Sequence, residues 1–566
     1  MLGLFIVVPA ITFNAIGAAI WNKPTSGLWR DTNNWSTGKA PNLGLGGTYI
    51  TNASTKTVTI DALTPVTNLF INSLNVWAPT NTTNTLLLSD VGTNSPLVVS
   101  NATLTVARGG SIVVTNSSLV VTGRNISFNV WAGSVTLDSG SIIAREEPLT
   151  TNVTVMTRIG RTNAASLNIN GGFMHATTMQ VGETPGLQFG RSQGTVRLSG
   201  GTLSIAGEFS IGSSLFCTGT VAMTGGQLIV ANNLTNIMRI GDEGTGTMTV
   251  SNAAVSVGDV SVGRHDSSVG TLVLSSGGLF GGSDDLSIGR FSGATGMVYV
   301  AGGQMLITNH PIWVGREGIG QLIVSNGLVQ AQGIQVAVVP TNTAHGSALL
   351  AGGSVLVSSN FSVGEGLLST GEVFVAGTSL VITNSDHTAY LQIARGSVTL
   401  SSGAVSADKV YLTNSTGRFV FNGGTLQTKG TIASNGAPFV VGDGTNAATL
   451  NLAGGTHLFT AGLILSSNAT LTGCGTIIGS VVNHGTIATN CSAAPPPTIT
   501  RITFGTNTAA VFFQSVGGAT YFLEYKDRLQ DSSWTPVASA TGSGSLLQLT
   551  DPAATARMRF YRIRVQ

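Results

Sequence analysis

Six acidic residues have the type and spacing that glycoside hydrolysis requires. Hydrolysis of a glycosidic bond needs two carboxyl groups roughly 5–10 Å apart. In a stacked β structure, side chains on the same turn of neighbouring strands lie about 5 Å apart. Acids on the same turn of successive repeats therefore reach that separation. The candidate catalytic acids are Glu183, Asp242, Asp284, Asp285, Glu317 and Glu365.

Five arginines form the only basic column in the same part of the chain. A lyase acting on an acidic sugar needs a basic residue beside its substrate, and there is no lysine between Lys56 and Lys409. The arginines have two interpretations. They bind sugar or another anion, or they cover the edge of the structure and pair with a neighbouring acid. The candidate binding residues are Arg161, Arg264, Arg290, Arg316 and Arg395.

Two acidic turns offer oxygen ligands of the kind that calcium prefers, at residues 241–244 (GDEG) and 282–285 (GSDD). The Gly-Gly-x-Gly-x-Asp nonapeptide of calcium-binding β-rolls is absent, however, and adjacent acids on a turn are usually solvated. No CxxC and no His/Cys spacing indicates zinc. The sequence therefore predicts neither a metal nor a cofactor.

Most of these charged residues belong to a phrase that returns about every 26 residues, in which Ile or Val precedes Gly and a polar residue. A Gly-Gly turn before a short apolar run lies between most copies. Such a period predicts stacked repeats, in which short strands that cannot bury their apolar side alone build parallel sheets with their neighbours. Copies begin at Ile159, Val181, Ile211, Ile240, Val262, Ile288, Val314 and Val363, with a degenerate copy at Ile393.

The composition excludes several classes of protein. Charged residues make up only 9%, but the 42% of hydrophobic residues argues against disorder. No apolar run after residue 20 approaches the roughly 20 residues that a membrane span needs. The net charge of +2, without a Lys/Arg cluster, gives no electrostatic case for a nucleic-acid partner. We predict an all-β fold, a parallel β-solenoid of roughly 17 rungs and about 80 Å, expected to be a right-handed β-helix, followed by a small β-sandwich.

The chain divides into five predicted segments. Residues 1–20 are almost wholly apolar and indicate a signal peptide, with an N-terminal anchor or a buried first strand as alternatives. Residues 21–45 are a Trp-rich lead-in that caps the solenoid of residues 46–490. Residues 491–497 are a Pro-rich linker, and residues 498–566, where aromatic and charged residues rise, form the β-sandwich.

The three cysteines allow two interpretations. Cys474 and Cys491 can pair in an oxidising compartment. The favoured interpretation is that these two and Cys217 are small buried hydrophobic residues.

Three stretches carry a family resemblance. The lead-in contains W, GLW, NW and GKAP between residues 21 and 41, residues 469–487 read ATLTGCGTIIGSVVNHGTI, and the tail contains YFLEY, SWTPV and RFYRIRV. They resemble bacterial secreted proteins that carry autotransporter-associated β-strand repeats and end in an immunoglobulin- or fibronectin-type module. The resemblance implies a passenger-like β-solenoid outside the cell.

We therefore expect a secreted or cell-surface structural or adhesive rod. Its expected partners are polysaccharide, a surface matrix or like rods, and it contacts membrane only through an uncleaved N-terminal segment. The alternative is a carbohydrate-active β-helix enzyme, either a polysaccharide lyase or a glycoside hydrolase. No recognisable catalytic signature favours the enzyme. A cleft with two acids at catalytic separation would indicate the enzyme, and a flat stacked face would indicate the rod.

Overall fold

The computed structural model is an all-β protein with a parallel β-solenoid of about 17 turns, which confirms the predicted solenoid. It describes residues 17–123, 126–145, 155–184, 186, 191–230, 237–281, 284–338, 344–489, 497–516, 519–556 and 558–565. Within these ranges the only helices are two 3-10 turns, Thr32–Asn34 and Val66–Asn68. The chain forms two compact units, residues 1–383 with 392–398, and residues 384–391 with 399–566.

In the first unit each turn of the solenoid contributes one strand to each of three parallel sheets, S1, S2 and S3. The strands of S1 are Gly27–Leu28, Lys56–Ile60, the first parts of Asn84–Val99, Gly110–Thr122 and Thr370–Ile382, Ser134–Leu137, Ala164–Ile169, Gln193–Leu198, Thr218–Met223, Thr245–Val250, Val269–Leu274, Thr295–Val300, Ile319–Val324 and His345–Leu350. The strands of S2 are Phe70–Ile71, the second parts of Asn84–Val99, Gly110–Thr122 and Thr370–Ile382, Gly140–Arg145, Phe173–Ala176, Thr202–Ile205, Gln227–Val230, Ala254–Val257, Gly278–Gly281, the first parts of Gln304–Val314 and Leu328–Val336, and Ser354–Val357. The strands of S3 are Ala19–Ile20, Thr48–Ile50, Leu74–Val76, Leu104–Val106, Ser127–Val130, Met156–Ile159, Thr178–Val181, Phe209–Ile211, Ile237–Ile240, Asp259–Val262, Leu286–Ile288, the second parts of Gln304–Val314 and Leu328–Val336, and Asn360–Val363.

The strands stack in register because apolar and polar residues alternate along them. In S1, Val221 pairs with Met248 and Met248 with Leu272, and all three side chains are buried. The residues between them face outward, because successive side chains of a strand point to opposite sides. The interior is therefore a stack of apolar ladders, which no single turn could bury alone.

The Ile/Val-Gly phrase forms one column at the end of S3, as its regular return predicts. Each apolar residue pairs with the next copy, from Ile159 through to Val363. The turn glycine has a left-handed φ in these copies, for example +66° at Gly289. The long gap between Val314 and Val363 contains a copy that the pattern missed, in which Ala337 replaces Gly with φ +52°.

The Trp-rich lead-in belongs to the first turn of the solenoid. Ala19 and Ile20 pair with the strand Thr48–Ile50, whereas residues 1–16 of the predicted signal segment lie outside the described residues. Trp21, Trp29 and Trp35 are buried, and Trp35 meets the other two rings edge-on at 5.1 and 4.9 Å. This aromatic cluster fills the interior where the stack of sheets begins.

The second unit contains the remaining solenoid strands and six antiparallel strands. Residues 499–565 form two three-stranded sheets that share a core of Val511, Phe513, Tyr521, Leu523 and Leu549. The solenoid strands, of which the first two also hold residues of the first unit, are Tyr390–Ile393, Gly396–Ala407, Lys409–Leu412, Gly417–Phe421, Gly424–Thr428, Thr431–Ala433, Phe439–Val441, Ala448–Phe459, Leu463–Leu465, Ala469–Ile478, Val481–Asn483 and Thr486–Ala488. The antiparallel strands are Ile499–Phe504, Ala509–Gln514, Thr520–Lys526, Thr535–Thr541, Leu546–Asp551 and Phe560–Val565.

The cysteines differ from one another in bonding. Cys474 forms a disulfide, so its interpretation as a small buried hydrophobic residue is wrong. Cys217 is buried with a free thiol, as that interpretation expects. Cys491 lies outside the described residues.

Candidate functional site

Three of the candidate arginines, Arg264, Arg290 and Arg316, lie at the end of S3 and reach back to an acid on the preceding turn of the solenoid. Arg290 Nη1 donates to Asp259 Oδ2 at 3.1 Å and to Ser261 Oγ at 2.8 Å. One turn later, Arg316 Nη1 donates to Asp285 Oδ2 at 2.9 Å. The acids are more buried than the arginines, because only 7% of the Asp259 side chain and 14% of the Asp285 side chain are exposed. These two candidate arginines are therefore neutralised inside the solenoid.

Asp242 is the centre of the most connected charged group. Its Oδ1 lies 3.1 Å from Nη1 of Arg264, and its Oδ2 accepts from Ser210 at 2.9 Å and lies 3.4 Å from Nη1 of Arg239. Arg239 also pairs with Glu208, which the sequence did not single out. Burial raises the pKa of Glu208, Arg239 opposes the rise, and the nearby Asp242 carboxylate adds to it.

Glu208 and Asp242 are two carboxylates that share one arginine partner. The same Nη1 atom of Arg239 contacts both carboxylates, so the guanidinium lies between them. A glycosidic oxygen would have to occupy that space. In this arrangement both carboxylates serve as partners of one guanidinium, which is a role in holding a cation.

Glu183 and the first candidate arginine form a looser group. The Nε atoms of Arg158 and Arg161 lie 3.7 and 3.2 Å from Glu183 Oε2, at angles that make no hydrogen bond. Burial lowers the pKa of Arg158, and Glu183 opposes this effect. The Arg161 guanidinium also stacks 5.9 Å from the Trp131 ring.

The other predicted residues have different surroundings. Asp284 Oδ1 accepts from the backbone N–H of Asp285, and Glu317 is half-buried beside Arg316. Glu365 is exposed, and Arg395 makes no ion pair with any described residue. Within the described ranges, no three His, Cys, Asp or Glu side chains are grouped to hold a metal. Two acidic turns were considered for calcium. In residues 241–244 the aspartate pairs with arginines, and in the other turn residues 282 and 283 lie outside the described part.

Aromatic rings complete the cover over S3. Arg264 and Arg290 lie 5.8 and 5.6 Å from the centre of the Phe291 ring, and Arg316 lies 4.9 Å from the Trp313 ring. Beneath them, Ser261 and Ser287 stand at equivalent outward positions of S3, yet neither is exposed. The charged column therefore forms a lid of arginine and aromatic side chains over the polar face of S3.

The outer face of S1 is different, because it carries an open groove of about 520 Å³. One wall is a ladder of Val269, Thr295, Ile319, His345 and Thr370, and the other is a ladder of Thr271, Met297, Gln321, Ser347 and Glu372. The groove follows the stacking direction across five turns. Glu372 is its only carboxylate, so hydroxyl, amide and apolar groups make up most of its surface.

Eight glycines stack in register in S1, the last five of them between the two ladders of the groove, and the sequence analysis missed them. An added Cβ would point into the solenoid, as at Gly270, where it would lie 2.1 Å from Ile240 O and 2.2 Å from Gly263 N. The strand glycines thus let the turn glycines of S3 pack against S1. The available signal was a glycine six residues before the first glycine of a Gly-Gly turn, as in Gly194 before Gly200 and Gly346 before Gly352. The column is Gly194, Gly219, Gly246, Gly270, Gly296, Gly320, Gly346 and Gly371.

Comparison with known proteins adds no family to this geometry. No protein-family model matches the chain, and neither the curated proteins nor the solved structures include a match to it. Among the described residues, no helix has the length and apolar character needed to cross a membrane.

Proposed function

We propose that this chain is an extracellular structural β-solenoid that adheres to a neutral, linear polysaccharide along the S1 groove. The observation that carries the proposal is the groove itself, with its two ladders of neutral polar and apolar side chains. Sugar rings offer hydroxyl groups to the polar side chains and C–H faces to the apolar ones. Met297, Val269 and Ile319 supply the apolar contacts.

The direction of the groove fits a polymer. Equivalent side chains recur at each turn, at a strand spacing of about 4.8 Å. A linear glycan whose residue repeat is close to this spacing can place successive sugars on successive turns. Each neutral hydrogen bond contributes only about 1 kcal/mol, so useful affinity comes from repetition along the groove.

The state of the candidate acids supports adhesion over hydrolysis. Asp242 and Asp285 are held by half-buried arginines, and Glu208 and Asp242 share the guanidinium of Arg239. Glu365 is exposed, far along the chain from Glu208 and Asp242. Among the described residues, Asp242 and Asp285 are therefore engaged as ion-pair partners, which weighs against the enzyme hypothesis.

The remaining features of the proposal rest on sequence. The apolar residues 1–20 support secretion, and the resemblance to autotransporter-associated repeat proteins supports the cell surface. We assign the solenoid the right-handed winding that parallel crossovers nearly always adopt. The two antiparallel sheets of residues 499–565 are consistent with an immunoglobulin- or fibronectin-like sandwich.

The test is a binding and depolymerisation screen of the full chain on a panel of neutral and acidic polysaccharides. Met297→Arg and Gln321→Arg place long charged side chains in the groove and should abolish retention on the bound glycan. Ser256→Arg puts the same side chain on the outer face of S2 and serves as the matched control, because Ser256 is half-buried at an outward position. If the groove variants are retained on the glycan as well as Ser256→Arg is, the groove is not the binding surface. Cleavage of a glycan that is lost in Glu365→Gln would favour the enzyme.

A further inference from the structure

A second cleft, in the other unit of the chain, has different chemistry. It encloses about 440 Å³ and is lined by residues of four successive turns, among them His387, Lys409, Tyr411, Lys429 and Thr456. Two of the six lysines of the whole chain meet here, although the solenoid sequence before them has none after Lys56. We propose that this cleft binds the anionic group of an acidic sugar, with a carboxylated hexose as the ligand. The site is separate from the S1 groove and does not depend on the function proposed for it.

Asp408 holds the cationic side of the cleft in place. Its side chain is fully buried, and its Oδ1 lies 3.0 Å from Lys429 Nζ and 3.4 Å from His387 Nδ1. Its Oδ2 accepts from the backbone N–H of Asn384 at 3.0 Å, which fixes the carboxylate. A buried carboxylate with this set of partners is a support for the groups around it, because it has no exposure to ligand.

Lys429 and His387 present donors toward solvent. Lys429 Nζ lies 2.5 Å from His387 Nδ1, and an ammonium can only donate, so Nδ1 accepts and Nε2 carries the proton. His387 is 58% exposed at its side chain and Lys429 is 36% exposed. His387 also has a left-handed φ of +55°, which is uncommon for a residue with a side chain and clusters at ligand sites.

Lys409 supplies a positive charge that no acidic side chain in the cleft neutralises. Among the described residues its ammonium has no ion-pair or hydrogen-bond partner, although it lies in the same cleft as Lys429. Asp408 balances one lysine, so the cleft keeps a net positive charge from the other. An anion that enters here meets an unpaired ammonium and two further N–H donors.

An aromatic surface beside these donors favours a sugar over a bare anion. Tyr411 follows Lys409 by two residues on the same outward face, and its ring lies 5.6 Å from that of Tyr390. Ile432 pairs with Tyr411 on the next turn and extends the apolar surface, while Thr456 adds a hydroxyl. A carboxylated hexose fits this combination of ring platform, hydroxyl partner and cations.

The test measures binding of digalacturonate to the full chain by calorimetry at low salt, beside its neutral counterpart digalactose. Lys409→Met should weaken digalacturonate binding at least tenfold, and Tyr411→Leu should weaken it as well. Lys39→Met removes an equally charged, exposed lysine elsewhere and should leave binding unchanged. Lys409 is preferred to Lys429 for this test, because removing Lys429 strips a buried aspartate of its partner.

Three results would overturn the proposal. They are equal affinity of the Lys409→Met and parent proteins, equal affinity for the acidic and neutral disaccharides, and competition by inorganic sulfate as effective as that by digalacturonate. The third result would identify a general anion site without sugar recognition. The S1 variant Met297→Arg should bind digalacturonate normally, so failure of the groove and failure of the cleft are separately visible.

Discussion

Replacement of Gly289 by alanine tests whether the turn column requires glycine for lack of space as well as for its backbone conformation. Gly289 has φ +66°, and a Cβ there would lie 2.3 Å from Ile319 O on the next turn. Cβ atoms essentially never come closer than 3.0 Å, so the two turns must separate by about 0.7 Å. The left-handed conformation costs about 1–2 kcal/mol with a side chain, and such overpacking costs about 1–3 kcal/mol. Alanine also restricts the unfolded chain, which returns about 0.4–1 kcal/mol. The expected net loss is about 1–4.6 kcal/mol.

Gly92 provides the matched control. Its φ is +83°, but an added Cβ would meet nothing within 4 Å. Gly92→Ala should therefore lose only the backbone contribution, about 1 kcal/mol or less. Hydrogen exchange resolved by peptide is the assay, because a solenoid opens locally and one global melting point does not isolate a turn. Gly289→Ala should accelerate exchange of peptides covering residues 286–322. This acceleration should be roughly 5- to 150-fold larger than the one that Gly92→Ala causes around residue 92. Equal acceleration at both sites would refute the collision argument.

The natural exception in the column gives the reverse experiment. Ala337 occupies the turn position with φ +52° and is buried. Ala337→Gly removes the left-handed strain of about 1–2 kcal/mol and adds the entropy cost of glycine, about 0.5–1 kcal/mol. Local exchange should therefore slow by a few-fold, and faster exchange would contradict the assigned strain.

The remaining predictions concern charge and the ends of the chain. Arg290→Met should destabilise its turn by about 3–5 kcal/mol, because it leaves buried Asp259 unpaired, and the added change Asp259→Leu should recover part of that loss in exchange measurements. Residues 498–566 should fold alone with dispersed amide NMR signals. That fragment should lose stability as the pH falls below about 4. Burial opposes ionisation of Asp551, but the N–H of Ala553 and the side chains of Arg559 and Tyr561 lower its pKa below the ordinary value. The folded form therefore binds this proton less readily than the unfolded chain does, and acid favours unfolding. Asp551→Asn should flatten this pH dependence of its melting temperature. Trp29→Ala should cost about 3–5 kcal/mol and accelerate exchange in the first turns only.

The sequence analysis predicted the architecture because the residues that mark the repeat have strong backbone preferences. Glycine at a left-handed turn is nearly obligatory, so the column from Ile159 to Val363 could be read directly. The copy at Val336 was missed because an alanine tolerates the strained turn there. The strand glycines were missed because a single glycine between polar residues has no local meaning, and its reason lies in a turn of the neighbouring strand.

The charged sites were less predictable, because their partners are set by register between turns. Arg290 and Asp259 are far apart along the chain, and nothing local marks Asp259, at the start of its strand, as the acid that Arg290 needs. Asp408 was overlooked for the same reason, since its partners His387 and Lys429 come from the turns before and after it. Binding by the arginine column stays a prediction, because the observed ion pairs account for Arg264, Arg290 and Arg316 without it.

The two outward faces of the first unit imply a division of roles that salt can separate. On S3 the charged side chains form ion pairs with one another and cover serines that are fully buried. Few of their charged groups are therefore available to a ligand. On S1 the hydroxyl and amide groups line an open groove. Neutral hydrogen bonds and apolar contacts are little affected by screening, whereas an ammonium attracting a carboxylate at an exposed cleft is screened within about 10 Å at 0.1 M salt. Retention of a neutral glycan by the groove should therefore increase with glycan length and persist at 0.5 M salt, while binding of digalacturonate beside Lys409 should weaken with salt and gain little from a longer chain. A groove that released its glycan at high salt would mean that charge, and not repetition along the turns, holds the polymer.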